Sequence, residues 1–412
     1  MGQLDAREGG GTHNNTDEGR LVALGEHADV APAGGMRSDI VVSLEGVRTL
    51  AADYEHLYRV TANTLPFALH DWHVTWCTHF LNRNPQIHEQ LQFHVLRHGN
   101  GECVGIVPLV HTQRRLGPLR LATVDMLGVD QGLTEIRTPL IEPGYERSAV
   151  RAVHASLAGL RDWDWMHWSG IGGALAEAMA REITPQWHTV NLDYVLDLPA
   201  SWQEFRAGLK RNVRESLRHC YNSLRRDHHP FEFVVARTRA EVREALDRFL
   251  VLHALRANMP WGPKHPNLFA QRHAQEFLYE VCDRLAARDV VRVFQLRVGC
   301  EIVASRVAFV VGDSLYLYYS GFDPDWAHYS VMTTTVAEAF KYAIANGLRT
   351  VNLSLHAERS KLRWRPRLIK LQSAVVHRDY LGSRLLYGAY RVATVGRRRS
   401  EKLLKSFFTH RS

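Results

Sequence analysis

"YYSGFDPDWAHYSVMTTTVAEAFKYAIANGLRTVNLSLHAERSKLRW", from Tyr318 to Trp364, reads as the end of a strand, a polar loop, a helix and a second strand, closing on a Lys/Arg/Trp cluster. The first strand is the tyrosine-rich "SLYLYYS" (Ser314 to Ser320). Ser330 stands at an N-cap position for the helix, and Gly347 is placed to end it. The opening amides of a helix have no internal partner and carry the positive end of its dipole, so they suit a phosphate. A serine that only caps its helix is the plainer alternative, and it stays open.

The same order of elements occurs earlier in the chain. "FHVLRHGNGECVGIVPLVH" (Phe93 to His111) and "FQLRVGCEIVASRVAFVV" (Phe294 to Val311) each read as strand, glycine-centred turn, strand. Each is followed by a helix and a short strand: "SAVRAVHASLAGL" and "DWDWMHWSG" in the first half, "VMTTTVAEAFKYAIANG" and "RTVNLSL" in the second. Matching pieces recur after about 185 to 200 residues, which predicts one α/β unit used twice.

A chain of 412 residues has room for two such cores. With 45% hydrophobic and 23% charged residues it has a globular composition. Residues 1–38 hold "GGGTHNN" and "APAGG" with almost no apolar periodicity, and we expect a disordered tail there. The expected domains are 39–195 and 196–385, followed by a basic tail over 386–412. The formal charge of +8 favours an anionic partner without choosing one. The five cysteines are far apart with no C-x-x-C, as buried thiols of a reducing compartment would be, and no 18-residue apolar run or charged-then-apolar leader is present. A cytoplasmic address is the expectation.

Between the halves, a helix over 202–226 places Trp202, Phe205, Leu209, Val213, Leu217, Cys220 and Leu224 on one arc. Lys210, Arg211, Arg214, Arg218, Arg225 and Arg226 fall opposite. This basic face and the C-terminal tail are candidates to meet tRNA or a membrane surface, although a merely solvated face accounts for the same pattern. The Pro-rich loop "PWGPKHPNLF", which carries Trp261, is read as lining a substrate mouth.

Several chemistries lack their motifs: there is no G-x-S-x-G, no phosphate-binding G-x-x-x-x-G-K-[ST], no H-E-x-x-H and no dinucleotide glycine fingerprint. The 23 histidines are scattered and no metal site is expected. The order hairpin, third strand, loop, helix, strand resembles the GNAT superfamily of acyltransferases. At closer range the chain looks like the cellulose-biosynthesis (CelD-like) acetyltransferases, relatives of the Fem aminoacyl transferases with two tandem GNAT units. The resemblance is carried by "FALHDWHVTWCTHF" (Phe67 to Phe80), "GIVPL" (Gly105 to Leu109), "DWDWMHW" (Asp162 to Trp168), "LPASWQEFRAGLKRNVRESLRH" (Leu198 to His219), "GFDPDWAHYS" and the Lys361-x-x-Trp364 ending. Where relatives begin the donor helix with Pro-Gly, this chain has Val331-Met332.

The resemblance implies an α+β fold in three layers: two tandem GNAT-like units, each a mixed, mostly antiparallel twisted sheet flanked by helices. It also implies an acyltransferase using acetyl-CoA or another acyl-CoA, with a sugar, amino sugar or related metabolite as acceptor. Ser330, Val331, Met332, Thr333 and Thr334 would hold the donor phosphates by their amides. Tyr319 or Tyr329 would protonate the leaving thiolate, and Lys361 would support transfer by its charge. Asn352, His356 and Trp261 would border the acceptor. An aminoacyl-tRNA donor, or a non-catalytic role in a polysaccharide-synthesis complex, is the alternative.

Overall fold

A computed structural model describes residues 36–392, apart from 117–118, 131, 161, 263, 356–358 and 381. The tail expected over 1–38 lies outside the described residues except for its last three, and β1 (Arg37–Val41) begins within them. A helical block follows, α1 (Leu44–Thr49), α2 (Ala51–Thr61) and α3 (His70–Phe80). Next come β2 (Ile87–Arg97), β3 (Cys103–Leu116), β4 (Leu119–Met126) and the two-residue β5 (Leu140–Ile141). The first half closes with α4 (Glu146–Ala158), β6 (Trp165–Ile171), α5 (Gly173–Glu182) and β7 (Gln186–Asp197).

The second half repeats the plan. After α6 (Trp202–Gly208) and α7 (Arg211–Arg226), β8 (Phe231–Ala236) leads to α8 (Arg239–Ala257) and α9 (Arg272–Ala287). The meander β9 (Val291–Val298), β10 (Glu301–Val311) and β11 (Ser314–Phe322) comes next. A 3-10 turn (Pro324–Tyr329), α10 (Val331–Ala345), β12 (Thr350–Leu355), α11 (Arg359–Leu362) and β13 (Arg367–His377) complete it. The helix expected over 202–226 is broken: Leu209 and Lys210 are extended, just after Gly208. Glycine is a poor helix former, and the break lets both pieces keep Phe205, Leu209, Val213 and Leu217 in one core with Phe340 of α10.

The two units share one sheet. Its order is β1-β2-β3-β4-β6-β13-β7-β12-β11-β10-β9-β8, with β5 beside β3. The last strand of each half is exchanged: β7 pairs with β12, while β13 returns to lie between β6 and β7. The boundary expected between 195 and 196 therefore falls inside a strand that bridges the halves. Pairing is antiparallel except at β4·β6 and β11·β12, the equivalent places in the two units.

Helices cover both faces. On one, α3, α8 and α9 bury Trp72, Phe277, Phe309, Tyr316 and Tyr318 in a core drawn from both halves. Trp72 packs edge-on to Phe277 at 5.2 Å, and Phe67 to Tyr316 at 5.1 Å. Burying each such ring is worth roughly 1.5–3 kcal/mol. On the opposite face α6, α7 and α10 cover Leu315, Leu317, Leu353 and Trp364.

Candidate active site

The parallel pairing of β11 with β12 is three residues long and ends at Tyr316 opposite Asn352. Beyond that point the strands part, and both are bulged where they do. Arg306 faces Ser320 while Ala308 faces Leu317, so β11 takes three steps for two of β10. Asn352 faces Val195 while Leu355 faces Asp193, so β12 does the same against β7. A bulge re-aims side chains and ends pairing, which is why bulges gather beside active sites. Ser354, in the second bulge, holds φ +67°, a left-handed conformation unfavourable to a residue with a Cβ, and its N–H is fixed by Asn352 Oδ1 at 2.7 Å.

On the α10 side the gap is a cleft of about 120 Å³ between the start of α10 and α11. Leu317, Ser320, Met332, Thr333, Lys361 and Trp364 form its walls, and Arg256, Arg306 and Arg363 bring three more positive charges. Ser330 stands at the N-cap in a left-handed conformation (φ +55°), but its side chain makes no capping bond and its hydroxyl turns to the Cys220 thiol. Its carbonyl accepts the Thr333 and Thr334 amides at 2.8 and 3.2 Å. The Val331 and Met332 amides have no backbone acceptor among the described residues. Of the five residues expected at the donor, Met332 and Thr333 face the cleft, while the Val331 and Thr334 side chains are buried in the protein.

The other side of the gap is acidic, and both acids come from the first half. Glu135, in the loop after β4, accepts the Tyr316 hydroxyl at 2.6 Å and a further bond from Ser354. Asp193, buried on β7, accepts the Asn352 amide at 2.7 Å, and its other oxygen has no partner among the described residues. Burial pushes the Glu135 carboxyl up to about 7 and that of Asp193 up to about 6, against the pull of these hydrogen bonds and of the Lys361 charge. Lys361 thus lines the cleft and acts on both carboxylates; its ammonium donates to the Leu355 carbonyl.

Of the remaining expected residues, Tyr319 lies beside Glu135, on the acidic side of the gap. The β11 bulge turns Tyr319 to the same face as Tyr318, rings 4.4 Å apart, where its hydroxyl donates to the Gly132 carbonyl at 2.6 Å. Tyr329 ends the 3-10 turn and donates to Asp227 at 3.1 Å. Neither hydroxyl lines the cleft. Trp261 is 52% exposed on the loop after α8 and is not part of the cleft wall; His356 lies outside the described residues. Glu135 and Asp193 escaped the sequence reading. For Asp193 the signal was faint: one charge in the apolar run "LDYVL".

Residues 211–362, from the start of α7 to the end of α11, match the family described as "Acetyltransferase (GNAT) domain". That match supports an acyltransferase domain of the GNAT class over those residues. No curated protein matches the chain. Among solved structures, FemX is similar over 82% of this chain and 98% of its own, with a TM-score of 0.55 at 11% identity. The C-terminal domain of a putative lysylphosphatidylglycerol synthetase from Agrobacterium fabrum covers 81% and 92% (TM-score 0.46, 14% identity). A tandem GNAT protein from the clavulanic acid biosynthesis pathway covers 83% and 98% (TM-score 0.43, 10% identity). The likeness to FemX is one of fold. No helix among the described residues is long and apolar enough to cross a membrane.

Proposed function

We propose that the chain transfers an acyl group from an acyl-CoA, laid between α10 and α11, to a polar acceptor entering from the Glu135 side. The observation that carries this reading is the parting of β11 and β12, with four positive side chains and two open helix amides on one side and two carboxylates on the other. The Val331 and Met332 amides and the Arg363 guanidinium would take the donor's phosphates. Glu135, near 7, is poised to accept the proton of the attacking hydroxyl or amine as the new bond to the acyl carbon forms. Cleavage of the carbon–sulfur bond leaves a thiolate whose charge Lys361 would offset. Holding two reactants across one gap supplies roughly 7 to 11 kcal/mol without a protein nucleophile. The acceptor we favour is a sugar, amino sugar or related metabolite, in polysaccharide or envelope biosynthesis.

A thermal-shift series with acetyl-CoA tests the donor. At about a hundredfold over its Kd, a true donor stabilises wild type by roughly 2.7 kcal/mol, and Thr333→Asp, which adds a negative charge at the helix start, loses that gain. Equal responses would move the donor away from α10, and no response from either protein would end the acyl-CoA reading.

One observation favours a second donor. Arg211, Arg214, Arg218, Arg225 and Arg226 are exposed on α7, which packs against α10 beside the cleft. An aminoacyl-tRNA bound there would be held by phosphate contacts, and its affinity would fall steeply with salt. The thermal response to acetyl-CoA would then be absent.

A further inference from the structure

Ser320 is 2% exposed, on the rim of the parted strands, and lines the cleft beside Thr333 and Lys361. Its Oγ receives two guanidinium hydrogens, one from Arg256 at 2.7 Å and one from Arg306 at 3.1 Å. A hydroxyl has two acceptor sites and one hydrogen to give. Both acceptor sites are filled here, and the hydroxyl hydrogen has no acceptor among the described residues. The two guanidinium groups are themselves tied down, Arg306 on the Tyr318 carbonyl at 3.1 Å and Arg256 on the His265 ring at 2.8 Å. The oxygen is therefore fixed in place and polarised by two positive charges.

Resting on the acyl-donor reading above, we propose that the Ser320 hydroxyl is a catalytic hydrogen-bond donor to the acyl carbonyl oxygen. Arg256 and Arg306 are positioning residues that orient it and strengthen its hydrogen as a donor. When the acceptor's nucleophilic atom bonds to the acyl carbon, the carbonyl π pair moves onto oxygen. Ser320 stabilises that oxyanion by a hydrogen bond and gives up no proton. As the carbon–sulfur bond breaks, the pair returns to re-form the carbonyl. The β11 bulge is what puts Ser320, rather than Tyr319, on the cleft side of the strand.

The test needs no acceptor. Acetyl-CoA carrying ¹³C at the thioester carbonyl is bound to the full-length protein, and its carbonyl stretch is read by infrared difference spectroscopy. Wild type should lower the stretching frequency relative to free donor. Ser320→Ala should still bind the donor, as read by thermal shift, and lose the lowering; Ser320→Thr should keep it. Should Ser320→Ala fail to fold, Ser320→Cys, whose thiol is a weak donor, should lose most of the lowering. A lowered stretch that survives in the Ala or Cys variant, or a bound wild-type donor with no lowering, overturns the proposal while leaving the donor site standing. Failure of wild type to bind acetyl-CoA overturns both. With an acceptor in hand, Ser320→Ala should cut kcat by about 10²-fold at unchanged donor KM.

Discussion

Glu135 combines three properties that a structural carboxylate rarely shows together: a site on a loop, a carboxyl pushed up to about 7, and a strong hydrogen bond from a buried tyrosine. As a general base it works only when deprotonated. Transfer should therefore rise with pH through about 7, and Glu135→Gln should remove that limb and lower kcat by roughly 10²- to 10⁴-fold. Stability should move the other way. The folded-state value lies above the ordinary 4.5, so between about 4.5 and 7 the folded state holds more protons than the unfolded one, and stability falls as pH rises. Glu135→Gln should then match wild type near pH 4.5 and exceed it at pH 8 by roughly 1–3 kcal/mol, as read from urea midpoints. A variant less stable than wild type at pH 8 would mean that burial is not what raises this group. None of this was legible in the sequence, because nothing local ties a loop glutamate of the first half to Tyr316 and Ser354 of the second.

At the level of elements, strands, hairpins and helices followed from turn chemistry and apolar spacing; Gly347 ends α10 with φ +71° as read, while the N-cap read at Ser330 makes no capping bond. The bulges did not follow. Simple alternation along "LYLYYS" puts Leu317 and Tyr319 on one face and Tyr318 and Ser320 on the other. The extra residue in β11 reverses the last two, turning Ser320 to the cleft and Tyr319 to the Glu135 side. What holds the bulged end of β11 is its contact with α8. At Gly321 an added Cβ would meet His253 N at 2.2 Å and the Leu252 carbonyl carbon at 2.4 Å, both backbone atoms of α8. Gly321→Ala must push α8 off the sheet, at a cost of about 1–3 kcal/mol or more. The same shift would disturb the bonds from Arg256 and His253 to Ser320. Its urea midpoint should drop and its thermal response to acetyl-CoA weaken; a variant matching wild type in both would remove α8 as the support of the cleft.

The whole molecule reads as a duplication whose halves have traded strands. The duplication was visible in two similar hairpins; the trade was not, since pairing between β7 and β12, or β13 and β6, leaves no local trace in either partner. It has a thermodynamic consequence. Neither half owns a complete sheet, the largest core draws on both, and both carboxylates of the gap reach the second half from the first. The halves should therefore unfold together, although a chain of this length with two similar units is where separate transitions would ordinarily be looked for. Six of the ten tryptophans, Trp72, Trp76, Trp163, Trp165, Trp168 and Trp187, sit in the first half, so tryptophan fluorescence weights that half while far-ultraviolet circular dichroism follows both, and the two urea curves should coincide. Val375→Asp makes the sharper experiment. Val375, 2% exposed on β13 and opposite His167 of β6, packs with Leu121 and Trp165 of the first half while belonging in chain order to the second. A charge buried there costs at least a few kcal/mol. The midpoints from both probes should fall by the same amount, and the acetyl-CoA response, read in the distant α10 cleft, should persist under native conditions below the new midpoint. If the variant instead splits the transition, with the α10 half melting at its wild-type midpoint, the exchanged strands are not what couples the two units.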